Sequence, residues 1–449
     1  MLKNPDSRLL SNRLILLIVI CLVVTFIIDT IFAVSYDLVS KTALSTKSKL
    51  SIFNLNVVIS LILQFIIILY TTKLTIRNQL RSRLNLKFFE RIGRFAFYFV
   101  SGLATYLIFQ LFYFNYYYSS TLMVMILVTY GTASILMGKT AILFFTWYRQ
   151  THNFIIVMYF FSLSLIIFTL ILTNAIVNLH LDARPEKIGE FLGGTIDVTG
   201  GRYGYFNVIY KISSIVSFLS IWLTTSILMY SAGRGLLRQI RYWIMPIALL
   251  AYFMSIYLFQ EIYKPVLYPL FKFDPVLLSI VLIMLFTLAK PIGGIMFCVA
   301  FWNISRRVSF EKTLKGYMII SGYGFLLLFS TNQASSLVLT PYPPFGVATV
   351  TILIVSSYLI MVGIYNSATL ASMNSNVRSS VYRITKESKL LDFISKAEMQ
   401  KEITTIVHKI SKQTEKEEEM AKTRFNLDEQ GLRDYIGEVV NQLRKKRSS

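Results

Sequence analysis

Three ionisable side chains stand deep inside apolar runs, where charge is costly: Asp29, Lys139 and Lys290. A charge at the centre of a membrane helix costs about 2.5–3.5 kcal/mol on insertion scales, so such residues seek a counter-charge, water or the bundle interior. At about 1.5 Å per residue, counted from the ends expected in the cytoplasm, Asp29 lies ~22 Å up the first run and Lys290 ~18 Å up the eighth, with Lys139 lower at ~12 Å. Depth therefore favours Asp29 with Lys290. The two runs are antiparallel, and the register that pairs Asp29 with Lys290 also sets Cys21 level with Cys298. The first and eighth helices are expected to be neighbours, with the acid neutralising the amine. Such a pair either holds a bundle together or forms a functional site.

Lys290 belongs to the stretch Pro275 to Trp302, PVLLSIVLIMLFTLAKPIGGIMFCVAFW, long enough to cross a bilayer yet interrupted by Pro291, Gly293 and Gly294. Proline removes one backbone donor and frees a carbonyl one turn earlier, so a discontinuous helix is expected here, as in transporter folds. Further on, Ser330, Thr331, Asn332 and Gln333 form a polar run at the end of the ninth span. Buried amides and hydroxyls bond neighbouring helices at about 0.6 kcal/mol each. Helix adhesion is the expected role, with Asn332 and Gln333 kept as ligand candidates. The following TPYPPFG holds Pro341, Pro343, Pro344 and Gly346, a short charge-free turn that should fix the angle between the ninth and tenth spans.

Signatures of enzyme chemistry are missing from the sequence. No HExxH, GxSxG, GxxxxGK[ST] or CxxC occurs, which leaves no catalytic residue, metal set or cofactor to nominate. His408, in IVHKISKQ, invites comparison with a phospho-accepting helix of a sensor kinase, but it lacks the following acid and the downstream proline. A plain helical histidine is the reading. Cys21 and Cys298 both lie in apolar runs and serve as small fillers rather than a disulfide or redox pair. His180 with Asp182 offers two groups only, too few for a metal site.

The elements that must position these residues follow from composition. The chain has 449 residues, 55% apolar and only 15% charged, against about 25% charged in soluble proteins. Apolar runs fall at 14–36, 50–70, 95–117, 121–147, 153–179, 209–231, 243–262, 276–302, 317–338 and 347–371. An all-α, polytopic transmembrane bundle of about ten spans is expected, the first an uncleaved span rather than a signal peptide. Alternate connecting segments carry 18 basic residues on the side of the N-terminus and 8 on the other. Since Lys and Arg collect in cytoplasmic loops, both termini are assigned to the cytoplasm of a cell-membrane, multi-pass protein. The net charge of +22 belongs mostly to those loops, so nucleic acid is not an expected partner. The loop Lys73 to Arg94, with seven bases opposed only by Glu90, should meet anionic lipid. Opposite it, FYFNYYY at Phe112 to Tyr118 suits the headgroup layer. The loop from His180 to Asn207 is expected to cap the bundle, with a small hairpin around Gly200 and Gly201.

PYPPFG at Pro341 to Gly346, SSYLIMVGIYNSA at Ser356 to Ala368 and LLDFISKAEMQKEI at Leu390 to Ile403 resemble an uncharacterised family of multispanning membrane proteins of ammonia-oxidising archaea. The resemblance covers the last quarter of the chain and implies a polytopic body with an exit helix and tail in an archaeal membrane. It brings no activity or ligand with it.

Beyond residue 372 the composition changes, dividing a transmembrane domain (1–372) from a cytosolic helical tail (373–449). Leu390, Leu391, Ile394, Ala397, Ile403, Ile406, Val407 and Ile410 follow helical spacing, and Leu432, Tyr435, Ile436, Val439 and Leu443 form a second stripe. Neither is apolar enough to span. These faces should pair with each other, a second copy or a protein partner. Two functions are consistent with this organisation. One is a non-enzymatic receptor or scaffold coupling the bundle to the tail; the other is a secondary transporter or channel for a small solute, built on a broken helix near Lys290.

Overall fold

A computed structural model describes residues 12–40, 46–77, 84–114, 117–181, 204–231, 236–258, 269, 275–307, 312–331 and 346–373, with 399–400, 403–404 and 407 beyond them. Among the described residues there are ten long helices, one in the region of each expected apolar run: α1 Asn12–Ser40, α2 Thr46–Arg77, α3 Leu84–Phe114, α4 Ser119–Thr151, α5 Phe154–Leu181, α6 Gly204–Ser231, α7 Leu236–Leu258, α8 Pro275–Arg307, α9 Lys312–Thr331 and α10 Val347–Met373. Among the described residues there is no strand. The hairpin expected near Gly200 and Gly201 lies outside them.

Eight of these helices are long and apolar enough to cross a membrane, which makes the chain a multi-pass membrane protein. The other two, α7 and α8, contribute shorter described apolar stretches, Trp243–Ser255 and Pro291–Asn303. The reason for helix throughout is physical: with no water in the hydrocarbon layer, each backbone amide must be satisfied within its own segment. Outward faces carry large apolar side chains, among them Phe95, Phe112, Ile142 and Phe154, as a lipid-facing surface requires.

The chain divides into two compact units, Met1–Ala397 and Glu398–Ser449. In the second, few residues are described. Thr404 donates its hydroxyl to the Gln400 carbonyl (2.8 Å), the spacing of a helical turn.

Within the first unit α10 is the central post. It packs against α1, α2, α3, α4 and α9, while α8 packs on α9 and on α1, and α5 and α6 extend the bundle from α4. Every residue of the span Val347–Ala371 is buried except the half-buried Leu370. A helix rich in serine and threonine tolerates that because most of their described hydroxyls bond their own turn. Thr351 donates to the Ala348 carbonyl, Ser356 and Ser357 to Leu353, Ser367 to Ile364 and Thr369 to Tyr365, each at 2.8–3.0 Å. No outside partner is then needed for those groups.

Close approach of α9 and α10 depends on two glycines. A Cβ at Gly324 would meet Ile360 Cγ1 at 2.8 Å and the Ile360 amide at 2.9 Å, and one at Gly363 would collide with the Ser321 hydroxyl and lie 2.8 Å from the Tyr317 carbonyl. Small residues at such contacts let backbones meet, which is how helices gain packing energy where lipid supplies no hydrophobic drive. On the other flank, α5 and α6 are joined by hydroxyl pairs, Ser162 with Ser220 (2.8 Å) and Thr169 with Ser213 (2.8 Å).

Gly363→Ala and Gly324→Ala should each lower unfolding stability in lipid or mild detergent by about 1–3 kcal/mol, the usual cost of overpacking. Gly131→Ala, where a Cβ meets nothing within 4 Å, is the control and should leave the denaturation midpoint in place.

Candidate functional site

Asp29 sits on α1 with no solvent exposure. Its carboxylate is aimed at the start of α10: Oδ1 accepts the Gly346 N–H at 3.1 Å, and Oδ2 accepts both the Thr349 N–H at 2.7 Å and the Thr349 hydroxyl at 2.8 Å. The first N–H groups of any helix have no partner inside it, and their aligned dipoles leave a partial positive charge there. A side-chain oxygen normally supplies the cap from the residue next to the helix. Here the cap comes from a different helix, 317 residues away in sequence. Gly346 makes this geometry available, because its φ of 104° lies where only glycine is comfortable.

The described partners of Asp29 are of a kind that charge pairing does not consider. Its described hydrogen bonds come from the backbone and hydroxyl of α10, so a helix end compensates its charge. Depth matching considers only charged letters, and a helix N-terminus presents none. The expected contact between α1 and α8 does occur, but the Lys290 side chain lies outside the described residues, as do Asn332, Gln333, Pro341, Pro343 and Pro344.

Where a discontinuous helix was expected, the backbone is continuous. α8 runs without interruption from Pro275 to Arg307 with Pro291 inside it. Proline removes a single N–H, and in apolar surroundings giving up further backbone bonds would cost more than the local distortion. Gly293 and Gly294 act as contact surfaces instead. A Cβ at Gly293 would stand 3.2 Å from the Phe218 ring, and one at Gly294 3.2 Å from Leu326 and 3.3 Å from Phe329. Around them Phe218 stacks on Phe253 at 3.9 Å and Phe297 on Phe329 at 4.5 Å. Lys139 is half-buried, its ammonium 5.2 Å from the centre of the Phe89 ring, a cation–π contact that offsets part of its desolvation.

Several buried polar residues near α10 escaped the sequence reading. Asn56 donates to the Thr25 carbonyl at 3.0 Å and so ties α2 to α1 one turn from Asp29. Gln64 donates from Nε2 to Ser60 at 3.0 Å and to Thr351 of α10 at 2.9 Å. Asn56, Ser60 and Gln64 recur every fourth residue, a stripe that the sequence displayed. Glu90, noted only as the lone acid of a basic loop, is buried, and its Oε1 has no hydrogen-bond partner. Among the described residues no group of three or more His, Cys, Asp or Glu could hold a metal ion.

No family model, no curated protein and no solved structure matches this chain. The class of protein rests on the helices themselves, a multi-pass membrane bundle with a buried carboxylate at its centre.

Asp29→Ala leaves three donors unmet in a buried setting and should cost about 3–5 kcal/mol of unfolding free energy, the range for removing one member of a buried charged contact. Asp29→Asn keeps one acceptor oxygen and should cost about half as much, read from denaturant or SDS titration of the purified protein.

Proposed function

We propose that this chain is a non-enzymatic receptor or scaffold of the cell membrane, in which the bundle is coupled through α10 to a cytosolic tail. Both termini face the cytoplasm in this reading, and the exposed Lys87 and Arg91 at the start of α3 meet anionic lipid. The observation that carries it is the use made of Asp29: a costly buried carboxylate is committed to fixing the end of one helix. That helix is sealed on its sides and continues in sequence into residues 373–449, whose two amphipathic stripes the spans do not need. A post held at one end and joined to a tail at the other suits a body that reports or organises. The tail's stripes fit a protein partner or a second copy of the chain. The archaeal membrane setting rests on the PYPPFG, SSYLIMVGIYNSA and LLDFISKAEMQKEI segments.

The transporter reading loses its broken helix, since α8 is continuous through Pro291. Purification of the full chain in mild detergent, beside a chain ended after Ser372 and a Lys290→Ala variant, separates the two. Recovery of a discrete partner or dimer that vanishes with the tail and survives Lys290→Ala is the expected outcome. Solute uptake by proteoliposomes that needs Lys290 and not the tail would contradict it.

A further inference from the structure

The first half of α3 exposes two kinds of side chain in adjacent rows. Lys87 and Arg91 are exposed, and Arg94, half-buried, donates from Nε to the Glu90 carbonyl at 3.4 Å. These are the only bases of α3, and Glu90 is its only acid. Glu90 is buried, so Lys87 and Arg91 form an outward pair with no acid of their helix exposed beside them. At about 100° per residue, Lys87, Arg91 and Arg94 fall in one ~60° sector of the helix.

On the flank of that sector runs a row of rings. Phe95 is 73% exposed and stacks on the exposed Phe99 with centroids 6.5 Å apart, and the exposed Tyr106 continues the row. Between Phe99 and Tyr106 the row has a gap at Gly102, which is itself exposed and where a Cβ would meet nothing within 4 Å. By the same step of about 100°, these four positions lie within ~60° of one another. All of them belong to one unbroken helix, so their order and spacing follow from the helix itself.

Depth and charge together name an occupant. Gly102 is eleven residues beyond Arg91, ~16 Å at about 1.5 Å per residue, and half of the ~30 Å hydrocarbon core is ~15 Å. The bases and the gap are therefore one leaflet apart. An acidic peptide would satisfy the bases and leave the rings and the gap, at hydrocarbon depth, unused. A phospholipid with an anionic head reaches both.

We propose that this face of α3 holds one anionic phospholipid, its phosphate between Lys87 and Arg91 and one acyl chain along Phe95 and Phe99 into the gap at Gly102. Charge complementarity selects the head, and the exposed rings with their gap receive the chain. The proposal deepens the reading that the start of α3 meets anionic lipid, and rests on it. A general attraction becomes a seat for a single molecule.

The test titrates the full chain in mild detergent with phosphatidylglycerol or with phosphatidylcholine of the same acyl chains, and counts bound lipids by native mass spectrometry. Saturable binding of one phosphatidylglycerol, tighter than phosphatidylcholine, is expected. Lys87→Gln with Arg91→Gln should weaken phosphatidylglycerol by about thirtyfold, the equivalent of ~2 kcal/mol for two surface bases, and leave phosphatidylcholine unchanged. Gly102→Phe fills open space and keeps both bases; it should weaken both lipids by about threefold or more. Leu127→Phe, at an exposed position of α4, should change neither. The Tm of each variant checks that its fold is kept, and if the double variant does not fold, Arg91→Gln alone decides at about fivefold. Loss on removing the bases with no response to Gly102→Phe overturns the seat and leaves the general lipid reading standing. Equal affinity of the wild type for the two lipids overturns both, and a dimer of the chain forming in place of bound lipid overturns the proposal as well.

Discussion

A helix that ends inside a membrane bundle must have its terminal N–H groups satisfied by the protein, because no solvent is there to do it. Asp29 meets that need for α10. With the carboxylate in place, the central helix can start below the surface of the bundle, and α1, α2, α3, α4 and α9 can close around it. The same contact accounts for two otherwise costly features, a buried anion and a buried helix end. Each compensates the other.

Burial of α10 then depends on what its side chains do with their polar atoms. Thr351, Ser356, Ser357, Ser367 and Thr369 return their protons to carbonyls of the preceding turn, and Gly363 admits the backbone of α9. A hydroxyl-rich, charge-free sequence therefore behaves as a core sequence. The α5–α6 pair uses hydroxyls differently, across helices rather than within them, as Ser162 with Ser220 and Thr169 with Ser213 show. Close backbone approach joins α10 to its neighbour, whereas side-chain hydrogen bonds help join α5 to α6.

The ten helices were legible because an apolar run of about 20 residues has few alternatives in a chain this poor in charge. Asp29 was legible as a residue under strain of burial, since a lone acid in such a run demands compensation. Its partner was not, because backbone N–H groups belong to every residue and carry no letter. Gly346 was marked as part of a stiff turn, and its positive φ gives that turn its use. Pro291, Gly293 and Gly294 misled: the residue types that break helices in water also let helices meet closely in a membrane, and only the positions of Phe218, Leu326 and Phe329 decide between the two. The stripe Asn56, Ser60, Gln64 was visible at four-residue spacing, but uncharged polar residues in apolar runs draw less notice than charges do.

The central claim is that Asp29 holds α10, and a double-mutant cycle addresses it most directly. Unfolding free energies would be measured for Asp29→Ala, Thr349→Val and the pair, and in parallel for Asp29→Ala with Lys290→Met. The account predicts a coupling of about 1–3 kcal/mol between Asp29 and Thr349 and additivity with Lys290 to within about 0.5 kcal/mol. Additivity with Thr349 together with strong coupling to Lys290 would contradict it.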